Sequence, residues 1–158
     1  LIRLQFVGEN DIASRIIGAF SAGHLSHVDA IWGTGGLLGA RSDNPDGAGK
    51  GVQIRRPEYE KFARRVIATI PCTPDQEAAW TSFLTQQIGK PYDWRAIWAF
   101  AFNRNWQEED SYICSELQAA ALMKAQIVPP LYLAANKVVP VSLVLAVSAL
   151  PNVTLEIQ

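Results

Sequence analysis

The sequence predicts a single α+β domain over residues 1–158, an antiparallel sheet with helices packed on one side, and three observations carry that expectation. Short β-type runs separated by glycine-rich turns dominate as far as residue 70. Helical signals dominate from residue 73 onward. The chain has 158 residues, 49% of them hydrophobic, which is enough for one core and lies within the usual single-domain range.

Leu1, Leu4 and Phe6 open a strand that Gly8 ends, and Asn10 or Asp11 can then cap a helix whose one face carries Ile12, Ile16, Ile17 and Phe20. Gly23 breaks that helix. Residues 25–32 read as a strand with His27, Asp29 and Ile31 on one side, because alternate side chains face opposite sides of a sheet. A turn at 33–36 leads to a strand over 37–42, and a looser stretch over 43–51 precedes one over 52–56. These make an antiparallel meander, and residues 66–70 add a further strand closed by Pro71.

Thr73-Pro74-Asp75-Gln76 is the clearest local signal: Thr73 caps, Pro74 suits the first helical position and Gln76 completes a capping box. Trp80, Phe83, Leu84 and Ile88 give this helix a core face, and Gly89 with Pro91 ends it. A short helix is expected over 94–102, apolar nearly all round, then a polar loop over 103–110. An alanine-rich helix follows from Cys114 until Pro129 and Pro130 stop it. Residues 141–150 read as a last helix entered at Pro140, and 153–157 as a closing strand. The apolar stretches at 94–102 and 138–150 are shorter than the roughly 20 residues a bilayer crossing requires, so no membrane span is expected.

Charge narrows the partners. Fourteen Lys and Arg against fifteen Asp and Glu give a formal net charge of -1, which is no footprint for nucleic acid. The two cysteines, Cys72 and Cys114, are too few for a stapled framework and do not fix the compartment. Residues 1–8 lack the basic leader and continuous apolar run of a signal peptide, although a processed secreted chain would look the same. Localisation and oligomeric state stay open.

The candidate chemistry begins at Cys114. A cysteine at the start of a helix meets unpaired backbone N–H groups and the positive end of the helix dipole, which favour a thiolate. A thiol nucleophile also requires a base working near neutral pH, and the chain offers His24, in a turn, and His27, within an apolar strand. The two lie three residues apart, but no Cys or His cluster elsewhere completes a metal site, and neither metal nor organic cofactor is expected. Cys72 sits ahead of a helix cap without comparable surroundings and reads as structural.

Three segments taken in order resemble a known family. Ser26-His27-Val28 on a strand, Gly89-Lys90-Pro91-Tyr92-Asp93, and Tyr112-Ile113-Cys114-Ser115-Glu116-Leu117 resemble the circularly permuted NlpC-like peptidases, with the YiiX-like branch most similar. In ordinary NlpC-like enzymes the Gly-x-Pro-Tyr segment and cysteine helix precede the histidine strand; the reverse order here implies a permuted papain-like fold. The resemblance implies Cys114 as nucleophile, His27 as base and Tyr92 as the tyrosine lining the site near the oxyanion. It also implies a cysteine peptidase or amidase acting on a small peptide, as in cell-wall stem peptides. Permuted relatives that act on lipid acyl groups make an acyl-ester substrate the alternative, and an inactive binding module on the same fold is a third reading.

One position departs from the family pattern. The polar residue that usually orients the imidazole from the next strand falls at Gly39, before Ala40. The orienter is then absent, replaced by a backbone carbonyl or water, or supplied by a neighbour such as Asp29, Arg41 or Gln53. Asp29 is chemically suited, but side chains two apart on a strand leave the backbone roughly 6 to 7 Å apart. Other features carry less. Gly47-Ala48-Gly49-Lys50-Gly51 lacks the upstream glycine and the Ser or Thr of a phosphate loop. Glu108, Glu109 and Asp110 read as a solvated face, Glu116 as a favourable first-turn charge, and Trp94, Trp98, Phe100, Phe102 and Trp106 as core.

Overall fold

The computed structural model describes residues 1–8, 25–59, 62, 64–92, 113–129 and 138–158. The helices expected over 12–20 and 94–102, the loop over 103–110, His24 and Tyr112 lie outside these residues. Six strands form one antiparallel sheet: β1 (Ile2–Gly8), β2 (His27–Trp32), β3 (Gly36–Arg41), β4 (Gly51–Arg55), β5 (Arg64–Ile70) and β6 (Thr154–Ile157), in the order β4-β3-β2-β1-β5-β6. The described helices are α1 (Pro74–Gln87), α2 (Cys114–Lys124) and α3 (Pro140–Ser148).

The sheet has an apolar face and a polar one. Ile2, Leu4, Phe6, Val28, Ala30, Leu38, Ala40, Val52, Ala68 and Ile70 share a buried cluster with Trp80 and Leu84 of α1, Leu117, Ala121 and Leu122 of α2, and Leu143 and Val147 of α3. The three described helices therefore pack on one side, as expected for this α+β class. Strand alternation places Gln5, His27, Asp29, Gly39, Arg41 and Arg55 on the opposite face. That face is buried as well: Gln5 and Asp29 have no exposed surface. β1 is flanked by β2 and β5, and each of its residues except Arg3 is buried.

Helix α1 starts as its sequence dictates. The Thr73 hydroxyl accepts from the Gln76 backbone N–H at 3.2 Å, and the Gln76 side chain accepts from the Thr73 N–H at 3.0 Å. At its far end the chain doubles back along β4: the Val52 N–H donates to the Lys90 carbonyl and the Gly89 N–H to the Val52 carbonyl, each at 2.8 Å. Gly51 is required here, since its φ of +83° is left-handed and any Cβ would overlap the Lys90 carbonyl. This approach carries Pro91 and Tyr92 against the sheet.

Helix α2 is fixed to the sheet by polar contacts as well as apolar packing. Gln118 donates from Nε2 to the Leu38 carbonyl of β3 at 3.0 Å, and the Ser115 hydroxyl donates to the Val138 carbonyl. Every residue from Cys114 to Ala119 is buried, so the helix start has little freedom to shift. Strand β6 covers the outer edge of β5 and is exposed along its length. No helix among the described residues is long and apolar enough to cross a membrane.

Candidate active site

His27 is the first residue of β2 and lies opposite Val7 of β1, with 5% of its surface exposed. Its Nε2 is 2.8 Å from Asp29 Oδ1. Two side chains two apart on a strand meet here because the neighbouring strand leaves room. Continuing the β2–β3 register from Ala30 opposite Leu38 sets Gly39 beside Asp29, and a Cβ at position 39 would overlap Asp29 Oδ1. The glycine that removes the expected orienter from β3 thus makes the space in which a carboxylate from β2 reaches the imidazole.

Asp29 is held from its other oxygen. The Tyr59 hydroxyl donates to Asp29 Oδ2 at 2.8 Å and accepts from Arg41 Nη1 at 3.2 Å. Arg41 also stacks over the Tyr59 ring, 5.0 Å from guanidinium carbon to centroid, and donates from Nε and Nη2 to the two Asp43 oxygens at 2.7 and 2.8 Å. Arg55, 2% exposed, ties the surroundings together by donating to the carbonyls of Gly39, Gly49 and Gly51. Arg41 and Gln53, the other neighbours the sequence offered as orienters, do not take that place; Arg41 acts one step further out.

Cys114 lies at the first turn of α2, 2% exposed, and is one of the groups that act on the His27 charge. Ile113 occupies the cap position with extended backbone and contributes no side-chain bond, so no side-chain oxygen caps the first N–H groups of the helix that Cys114 begins. Burial pulls the His27 pKa down, but the Asp29 and Cys114 charges and their hydrogen bonds outweigh it and hold the imidazolium well above its usual range. Burial likewise opposes ionisation of Asp29. The His27 charge, the bonds from His27 and Tyr59 and the Arg41 charge prevail, so its carboxyl stays below the usual carboxylate range.

Tyr92 is half-buried in the segment hydrogen-bonded to β4 and packs against the apolar cluster that includes Cys114. Cys72 lies apart, ahead of α1 and partly exposed. Glu116 stands in the first turn of α2 as expected, and it is buried there. Sequence reasoning missed Tyr59, which stands thirty residues from its partner Asp29 in a segment without periodic signal. It also missed Gln5, register partner of Asp29, whose buried carboxamide finds no hydrogen bond among the described residues. A glutamine in an otherwise apolar central strand was the available sign.

The chain is an α+β domain with one antiparallel sheet, in which the strand carrying His27 precedes the helix that starts at Cys114. Among solved structures the chain is similar to the crystal structure of the metalloprotein YiiX from Escherichia coli O157:H7, with a TM-score of 0.60 and 15% identity over 98% of this chain and 94% of that one. The fold is YiiX-like. No family model and no curated protein matches the sequence. Although that structural neighbour is described as a metalloprotein, no group of three or more His, Cys, Asp or Glu side chains converges among the described residues here, so these residues do not form a fitting metal site.

Proposed function

We propose that this chain is a thiol hydrolase in which Cys114 is the nucleophile, His27 the general base and acid, and Asp29 the residue that orients His27. The single observation that carries this reading is the buried imidazole engaged by the Asp29 carboxylate at 2.8 Å, with Cys114 acting on the same ring. With Nε2 engaged by Asp29, Nδ1 is the nitrogen available to the Cys114 sulfur.

Cys114 would attack the carbonyl carbon of an amide, its proton passing to His27 and from there to the leaving amine as the C–N bond breaks. The thioester that remains would be attacked by water, which gives its proton to His27. Collapse of that adduct breaks the C–S bond, releases the carboxylic acid and returns the proton to sulfur. Backbone N–H groups at the start of α2 would stabilise the developing oxyanion, and Tyr92 would line that side.

The substrate class, a small peptide such as a cell-wall stem peptide, rests on analogy with NlpC-like enzymes. The binding-module reading drew on the missing side chain at Gly39, and the Asp29 carboxylate in that space favours turnover instead. The lipid-acyl reading drew on the aromatic run at 94–106, which lies outside the described residues.

Competitive alkylation tests the site. Accessibility alone favours Cys72, which is partly exposed, over Cys114, which is buried. Preferential labelling of Cys114 by iodoacetamide at neutral pH is therefore expected only if its surroundings activate it. His27→Ala should slow Cys114 labelling by about tenfold or more, the scale of losing one charged hydrogen-bond partner, and leave Cys72 unchanged. Labelling of Cys72 first, or a Cys114 rate indifferent to His27, contradicts the proposal.

A further inference from the structure

The polar face of the sheet contains a cation that competes for the orienting carboxylate. Arg41 and Asp29 lie on the same buried face of adjacent strands, and the Arg41 charge acts on Asp29. A direct Arg–Asp pair is the stronger partnership for a buried carboxylate, because the guanidinium is planar, permanently charged and matched to two oxygens. Such a pair would draw Asp29 off His27. In the structure Arg41 does not bond Asp29; the Tyr59 hydroxyl stands between them, 2.8 Å from Asp29 Oδ2 and 3.2 Å from Arg41 Nη1.

We infer that Tyr59 is a positioning residue that separates the Arg41 guanidinium from the Asp29 carboxylate, so that Asp29 stays directed at His27. The inference rests on the proposed roles of His27 and Asp29. Three features support it. Tyr59 is 8% exposed, so its hydroxyl bonds form in a setting where losing one is costly. Its ring also meets Phe62 edge-on, at 5.4 Å between centroids, which holds the phenol in place independently of the hydroxyl. Arg41, meanwhile, is engaged elsewhere, through two bonds to Asp43 and by stacking on the same ring.

The hydroxyl thus completes two partnerships and prevents a third. Among the described residues, the charged and titratable groups acting on the pair include Cys114 from α2, Arg41 from β3, Arg55 from β4, and Asp43 and Tyr59 from the connecting segments. Of these, Arg41 is the cation in contact with the Tyr59 hydroxyl.

The test uses the full chain with isotopically labelled histidine, His27 being assigned by difference from a His24→Gln variant. Tyr59→Phe keeps the ring, its contact with Phe62 and the stack with Arg41, and removes only the hydroxyl. Asp29 should then turn to Arg41, the His27 titration should move to lower pH, and Cys114 alkylation by iodoacetamide should slow by about tenfold, the scale of one hydrogen bond to a charged group. Adding Arg41→Met to Tyr59→Phe should restore both readouts, since the competing cation is gone. A purely structural role for Tyr59 would leave the double variant worse than the single one.

Two outcomes overturn the inference: an unchanged His27 titration in Tyr59→Phe, or no recovery when Arg41 is also removed. Should Tyr59→Phe fold poorly, Arg41→Met alone serves, and it must leave the His27 titration no lower than in the parent protein. If His27→Ala itself leaves Cys114 alkylation unaltered, the failure belongs to the proposed function; if His27→Ala slows it and Tyr59→Phe does not, the failure belongs to Tyr59 alone.

Discussion

Cys114→Ala should lower turnover of a cleavable amide or ester by roughly a thousandfold or more, the scale of loss when a covalent nucleophile is deleted. The substitution removes one sulfur from a buried position inside the apolar cluster, and the fold should be retained because alanine suits a buried site in a helix. The loss would therefore be chemical rather than structural. A second readout accompanies it. The Cys114 sulfur helps to hold the imidazolium of His27 above its usual range, so the alanine variant should titrate His27 at lower pH than the parent protein. A variant that keeps its turnover, or an unmoved His27 titration, would remove Cys114 from the site.

Gly39→Ala should be the most damaging single-methyl change in the sheet. Its Cβ would occupy the position of Asp29 Oδ1, and the Val28 carbonyl at 3.3 Å blocks relief by a shift of β3 in that direction. Overpacking of this kind costs about 1 to 3 kcal/mol. Expelling Asp29 adds the cost of a buried charge separated from its partner, about 3 to 5 kcal/mol. The effect should depend on pH in a defined way. The Asp29 pKa is lowered by folding, so its contribution is present above the unfolded value of about 3.9 and is lost as pH falls through the folded one. The His27 pKa is raised, so its contribution is complete below the unfolded value of about 6.5 and is lost as pH rises through the folded one. The stability difference between parent and Gly39→Ala, measured by urea unfolding, should thus be largest between about pH 4 and 6.5. Adding Asp29→Ala to Gly39→Ala should recover stability by removing the collision while leaving activity low. A pH-independent difference would mean that Gly39 matters only as a packing position.

Much of this arrangement was legible in the chain because it depends on local signals. The capping box at Thr73 and Gln76 forms as written, since both of its hydrogen bonds lie within four residues. The β2–β4 meander follows from alternation and glycine turns, and the helix start at Cys114 follows from the polar-to-apolar change before it. What could not be read depends on register and rotamer. Nothing in the spacing of His27 and Asp29 says that the carboxylate leans toward the ring; that outcome requires Gly39 to stand beside it, which only the pairing of β2 with β3 reveals. Tyr59 is further removed, because its contact with Asp29 depends on how the chain after β4 returns over the polar face. The same limit explains Glu116: its place in the first turn was evident, whereas its burial is a property of what packs around α2.

The measurement that tests the central claim most directly is trapping of the acyl-enzyme. The full chain incubated with p-nitrophenyl acetate and quenched in acid should carry one acetyl group, which peptide mass spectrometry should locate on Cys114, with Cys72 unmodified and with labelling strongly reduced in His27→Ala. Acetylation of Cys72 in preference to Cys114, or labelling of Cys114 that is the same without His27, would contradict the account of Cys114, His27 and Asp29 as one catalytic unit.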